Sequence, residues 1–274
     1  MKYADYETGL RSYRSMVDVA EYGRVREDER DWALLRLLWP GRRWLTITSG
    51  FHGDEVAGPL TLLERLPQIV DYARSREVGL RIYPCVNPSG FERGSRYNAS
   101  GERPNNDLLR YEIAPGVWRG ELMPGERPLR FVPFREGPKE TRALLTDLEG
   151  SPVPAAALDI HQDPYLEGAF AYAYVFGERG AYQRLLETTR RFAKVATDRV
   201  VDEAAHAATD SEGLVELYDG SVTDYFFRRG VSRAAALETT TGTPAADADA
   251  VNLAWIRGFI DLASGDEIPR SATA

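Results

Sequence analysis

The chain has 274 residues, 43% of them apolar, and a formal net charge of −8 with a pI near 5.1. That length can bury a full core, and the acidic balance offers no basic face to nucleic acid or to an anionic membrane, so neither is an expected partner. Cys85 is alone and gives no disulfide framework, no apolar run reaches the length of a membrane span, and the N-terminus has no signal-peptide core. The expectation is a cytoplasmic protein acting on a small substrate. With no Pro/Gly/Ser-rich linker, repeat or low-complexity stretch, residues 1–274 are expected to form one domain.

Residues up to about Arg30 are charged and loosely periodic (Leu10, Tyr13, Met16, Val17), which suggests a flanking helix. The apolar runs Ala33 to Trp39 and Trp44 to Thr48, separated by Pro40-Gly41, read as a hairpin. From Glu55 to about Tyr72, Leu60, Leu63, Leu66 and Ile69 recur at helical spacing, with Pro67 kinking or ending the helix. Gly79 to Val86 reads as a strand running into the turn Asn87-Pro88-Ser89-Gly90. Gly, Pro, Arg and Asn then dominate to Pro138, which predicts a long functional loop.

A helix is expected over Lys139 to Leu148, strands over Ala155 to His161 and Ala171 to Phe176, and a helix from about Ala181 to Ala196. A short helix over Val222 to Arg229, a strand over Ala234 to Thr240 and a closing helix over Ala246 to Ala263 complete the chain. Alternating strands and helices predict an α/β fold with a mixed sheet and a site at the strand ends.

The stretch Gly50 to Gly58 concentrates chemistry. His52 and Glu55 follow an apolar run and precede a helical segment. A chain that leaves a strand, turns on glycine and enters a helix can aim an imidazole and a carboxylate at one point, giving two of the three protein ligands of a catalytic Zn²⁺. A helix-start histidine and a solvated first-turn glutamate would give the same spacing. Of the three histidines, His161 ends a predicted strand, with Asp159 on the same side where it could orient a neighbouring group; His206 sits in a surface-like context and has no assigned role.

From about Trp44 to Glu238 the chain resembles the zinc carboxypeptidase family and its relatives, the aspartoacylase and succinylglutamate desuccinylase group. The resemblance rests on His52-Gly53-Asp54-Glu55, Asn87-Pro88-Ser89-Gly90, Asp107-Leu108-Leu109-Arg110, Asp159-Ile160-His161, Gly220-Ser221-Val222-Thr223-Asp224 and Ala236-Leu237-Glu238, in that order. It implies a single α/β domain of phosphorylase/hydrolase type, with a mixed, mostly parallel, twisted sheet flanked by helices. It also implies Zn²⁺ held by His52, Glu55 and His161, with Glu238 as general base and then acid.

By the same resemblance Arg96 is nominated to stabilise the oxyanion, with Arg93 and Arg103 beside it as open alternatives, and Arg110 meets the substrate carboxylate. Asp107 hydrogen-bonds a ligand histidine from behind. Leu109 replaces the family's asparagine beside that arginine, with Asn105 and Asn106 close enough to substitute. Tyr218 corresponds to the tyrosine over the substrate, with Tyr225 as the fallback and a core residue by its pattern. Thr223 falls at the floor of the specificity pocket, where a small polar side chain does not strongly favour a basic substrate. The implied activity is a metallocarboxypeptidase removing a C-terminal residue from a peptide. Leu109 and the compact length keep open an N-acyl amino acid deacylase, and a scaffold that has lost catalysis is the third reading.

Overall fold

The computed structural model describes residues 1–203, 205 and 207–265; His206 lies outside them. The chain opens with α1 (Tyr3–Arg11) and a short 3-10 turn, then enters β1 (Asp18–Glu27) and β2 (Arg30–Trp39). These strands form an antiparallel hairpin. Asp28 and Glu29 both have positive φ, the geometry of a two-residue turn whose twist matches that of the strands. The helix expected up to Arg30 therefore ends at Arg11, and Asp18–Glu27 is strand instead. Asp-Glu is a poor sequence signal for a left-handed turn, since asparagine and glycine adopt it at less cost.

Next come β3 (Arg43–Ser49), α2 (Ala57–Glu64), α3 (Leu66–Ser75) and β4 (Val78–Tyr83). The expected pairing of β2 with β3 does not form. β4 lies between them, antiparallel to β2 and parallel to β3, because β3, its helices and β4 make a crossover unit that returns the chain beside its own start. The helical run after Glu55 breaks at Arg65, and Pro67 stands in the first turn of α3, where its missing N–H costs nothing.

The region expected as one loop holds α4 (Pro88–Arg93) and a separate three-stranded sheet of β5 (Leu109–Ala114), β6 (Val117–Arg119) and β7 (Arg130–Pro133). The chain continues through α5 (Lys139–Glu149), β8 (Ala156–Asp163), β9 (Phe170–Gly177) and α6 (Arg179–Thr189). The helix expected to run to Ala196 stops at Thr189, and Lys194–Val195 is the short strand β10. Then follow β11 (Val200–Asp202), β12 (Ala207–Ala208), β13 (Leu214–Val215), α7 (Val222–Arg228), β14 (Arg233–Thr240) and α8 (Ala245–Ser264).

The main sheet has nine strands in the order β1-β2-β4-β3-β8-β14-β9-β10, with β13 also on β9. Its central strands β4, β3, β8 and β14 are parallel, and β9 runs against β14. Strand alternation divides β8 between two cores. Ala156, Leu158 and Ile160 pack with α3, α6 and α8 on one face. Ala157 joins α5 and α7 on the other, so Asp159 and His161, two and four residues on, face that second side at the carboxyl end of the strand. No helix among the described residues is long and apolar enough to cross a membrane.

A candidate metal centre at the carboxyl ends of the central strands

The turn carrying His52 and Glu55 is built on backbone contact. A Cβ at Gly53 would lie 1.9 Å from the carbonyl carbon of Gly90, and one at Gly90 would lie 2.5 Å from the Asn87 side-chain amide. Two turns thus pack main chain against main chain, which only glycine permits. Asn87 locks them together: its Oδ1 accepts from Gly90 N at 2.9 Å, capping α4, while its Nδ2 donates to Phe51 O at 3.1 Å. This gives the Asn-Pro-x-Gly sequence a local reason, as a wedge under the His52 turn.

His52, Glu55 and His161 are all buried, and one donor atom from each lies within 4.8 Å of the others. His52 Nδ1 stands 2.7 Å from Glu55 Oε1, and His161 Nδ1 stands 2.8 Å from Glu55 Oε2. Gln162 N also donates to Oε2 at 3.1 Å, and Arg96 Nη1 donates to Oε1 at 2.7 Å. Burial alone would raise the Glu55 carboxyl, but the two imidazoles hold it well below the usual carboxylate range.

Behind His161 stands Asp159. Its Oδ2 lies 2.7 Å from His161 Nε2, and its Oδ1 accepts from Thr48 Oγ1 at 2.7 Å and Ile160 N at 3.1 Å. Thr48 is its register neighbour on β3. Burial lowers His161, but Asp159 and Glu55 together outweigh it and hold its pKa well above the ordinary histidine value. His52 goes the other way, to about 4, because burial outweighs Glu55. Its Nε2 is buried without a partner among the described residues.

This donor set fits a divalent transition metal. Two imidazoles and a carboxylate converge in a buried space, one imidazole having its far nitrogen fixed by a carboxylate, which makes the near nitrogen the basic one. Zn²⁺ is accommodated by that chemistry. The carboxylate behind the histidine is Asp159 and not Asp107, which instead accepts from Arg110 Nη2 at 3.3 Å. Spacing in the sequence placed Asp159 on the correct side of the strand; that its target is His161 itself follows only from the ring's orientation.

Glu238 reaches the same place from β14, where it is the register neighbour of His161 on β8 and of Tyr172 on β9. It is half-buried, and its Oε2 has no hydrogen-bond partner among the described residues. Burial pushes its carboxyl well above the ordinary value, and Glu55 and Asp163 push it further against the opposing charges of His161 and Arg96. Glu55, Arg96 and Glu238 line one cavity of about 910 Å³, and a narrower chamber beneath it reaches His52, His161, Thr223 and Asn106.

Arg110 also lines the cavity, but its Nη1 donates to Leu109 O at 2.8 Å and Asn106 O at 3.2 Å, and its plane lies 3.6 Å over Phe134. Asn106 donates through Nδ2 to Asp219. Thr223 Oγ1 is buried in the chamber without a partner among the described residues. Tyr218 is not brought to either space. Its ring packs on Phe176 and Phe227, and its hydroxyl donates to Glu216. Tyr225 is fully buried in the second core, and Arg93 pairs with Asp28 away from the site. Sequence reading missed Asp163, Tyr174, Asp202 and Asp219 among the lining residues; the alternation Tyr172, Tyr174 on β9 was the available signal for an aromatic wall.

A buried His-Glu-His group at the strand ends of a mixed, mostly parallel sheet defines the class, an α/β protein with a carboxypeptidase-like fold and a group that fits a zinc site. No protein-family model and no curated protein matches the chain. Solved structures do. A candidate metallopeptidase from Shewanella denitrificans OS217 is 22% identical over 95% of this chain and 90% of its own, with a TM-score of 0.69. A candidate metallopeptidase from Shewanella baltica OS155 gives 22% identity over 95% and 92%, with a TM-score of 0.70. A metallo-carboxypeptidase from Burkholderia cenocepacia is 16% identical over 94% of this chain and 68% of its own, with a TM-score of 0.63. At these identities the likeness establishes the fold.

Proposed function

We propose that the protein is a zinc-dependent hydrolase that removes the C-terminal residue from a peptide or peptide-like amide. The observation that carries this reading is the convergence of His52, Glu55 and His161 beside Glu238, which is the register neighbour of His161 and lines the chamber with both histidines and the cavity with Glu55, since a metal-ligand set and a separate carboxylate are what amide hydrolysis needs. Zn²⁺ bound by the three side chains would supply an acidified water and a polarised carbonyl. Glu238 takes the proton of the attacking water and returns it to the leaving amine; burial favours its protonated form, which is the form that second transfer requires.

Arg96, fixed by Glu55 and with its Nε unpartnered, presents charge to the oxygen that becomes negative. A cavity of about 910 Å³ supports a peptide substrate, since it exceeds the needs of a short acyl amino acid. The fold's likeness to metallo-carboxypeptidases supports the same choice. Glu238→Gln tests it. Zinc content is expected to stay unchanged while kcat on free-C-terminus peptides falls by about 10²–10⁴-fold. Residual activity within about threefold of the parent removes Glu238 from the mechanism.

A further inference from the structure

Among the described residues, one carboxylate of the chamber has no ionic partner. Asp219 lines both the cavity and the chamber. It accepts from Asn106 Nδ2 and from Ser221 N at 3.0 Å, so its position is fixed from two sides. Three of the four arginines lining these spaces are paired elsewhere, Arg96 with Glu55, Arg110 with Asp107 and Arg119 with Glu126, and the fourth, Arg103, is separated from it by Asn106. None of the ion pairs among the described residues includes Asp219 or Asp202, a second carboxylate lining the same chamber. A half-buried carboxylate without a cation loses hydration and gains no ionic partner, and burial accordingly raises the Asp219 carboxyl.

A bound dication would not account for it. Glu55 and Asp159 already answer that charge, the one beside it and the other behind His161, and Arg96 stands against Glu238. On the other side of Asn106 lies Arg103, whose Nη2 donates to Asn106 Oδ1 at 3.3 Å. A single amide side chain therefore bridges a guanidinium and a carboxylate. Thr223 Oγ1, buried and unpartnered in the same chamber, adds an acceptor.

We propose that Asp219, and not Thr223, sets specificity, and that the released residue has a cationic side chain whose charged end pairs with Asp219 while Arg103 meets its carboxylate. Asn106 is then a positioning residue. This rests on the hydrolase reading above and reverses the expectation drawn from Thr223 that basic substrates are not favoured.

The test uses the zinc-loaded full chain and N-protected dipeptides that differ only in a C-terminal Lys, Leu or Glu. The parent is expected to favour Lys over Leu by at least about 30-fold in kcat/KM, and Asp219→Asn to lower the Lys value by about 10–100-fold with the Leu value within about threefold. Equal rates on Lys and Leu in the parent overturn the proposal without any variant, as does an unchanged preference in a folded Asp219→Asn. If no peptide is cut, the hydrolase reading fails, and a binding arm decides this inference separately. There, 6-aminohexanoate is expected to raise the melting temperature of the parent but not of Asp219→Asn, with hexanoate inert on both. Equal responses to 6-aminohexanoate and hexanoate overturn the proposal.

Discussion

Replacing Asp159 by asparagine changes one atom and should disable His161 as a ligand. In the parent, Asp159 Oδ2 faces His161 Nε2 at 2.7 Å while Oδ1 accepts from Thr48 Oγ1 and Ile160 N. Asparagine cannot serve both sides. If its oxygen keeps Thr48 and Ile160, its NH₂ turns on His161 Nε2 and forces that nitrogen to accept, which puts the ring proton on Nδ1, the nitrogen facing the metal space. If the amide flips, its NH₂ meets the buried donor N–H of Ile160. Loss of such an outer carboxylate costs about 10–100-fold in metal affinity, or roughly 1.4–2.7 kcal/mol, and the blocked alternatives place this site towards the upper end. Competition for zinc against a chromophoric chelator measures it, with circular dichroism as the folding control. Asp107→Asn should stay within about threefold of the parent, because Asp107 contacts Arg110 and no histidine. Equal losses in the two variants, or none in Asp159→Asn, would refute the reasoning.

Three further outcomes follow from other parts of the molecule. Glu140 is fully buried, and burial, with Glu27 and Glu102 adding, raises its carboxyl to about 7. Because the folded state holds this proton above the pH at which the unfolded chain releases it, the parent loses stability as pH rises from about 4.5 to 7, by roughly 3 kcal/mol. Glu140→Gln should remove that slope and raise the melting temperature at pH 8; a slope unchanged in denaturant titrations across this window would count against it. Gly53→Ala puts a methyl 1.9 Å from the Gly90 carbonyl carbon, so chemical denaturation should show a loss of about 3 kcal/mol or more together with weakened zinc binding, and parent-like values of both would contradict the packed-turn account. Tyr218→Phe removes a hydroxyl whose hydrogen bond among the described residues is to the exposed Glu216, and kcat/KM should change by less than about twofold, whereas a tenfold fall would restore the tyrosine to the substrate.

Much of the fold was legible because period and punctuation agree locally. The strands at 156–163, 170–177 and 233–240 and the helices at 139–149, 222–228 and 245–264 stand close to where their apolar patterns put them. Failures came where pairing partners are distant or turns lack their usual residues. The β1–β2 hairpin turns on Asp28-Glu29 instead of asparagine and glycine, and Pro40-Gly41 joins two strands that β4 separates. The sheet of β5, β6 and β7 hides in a segment whose glycines and prolines mask strands of three to six residues.

The site divides in the same way. Sequence alone determined which residues could be ligands, since few side chains bind a metal and His52, Glu55 and His161 occur in a spacing that a strand-turn-helix and a strand end can bring together. It also placed Glu238 on a separate strand. Tertiary structure decided everything that depends on which way a side chain points. It turned Asp159 onto His161, committed Arg110 to backbone carbonyls and Asp107, packed Tyr218 into an aromatic cluster, and left Asp219 facing a chamber with no ionic partner among the described residues. Identity and spacing are properties of the chain, whereas a hydrogen-bond partner or a missing counter-ion belongs to groups far apart in sequence, and only the packed sheet sets the distances between them.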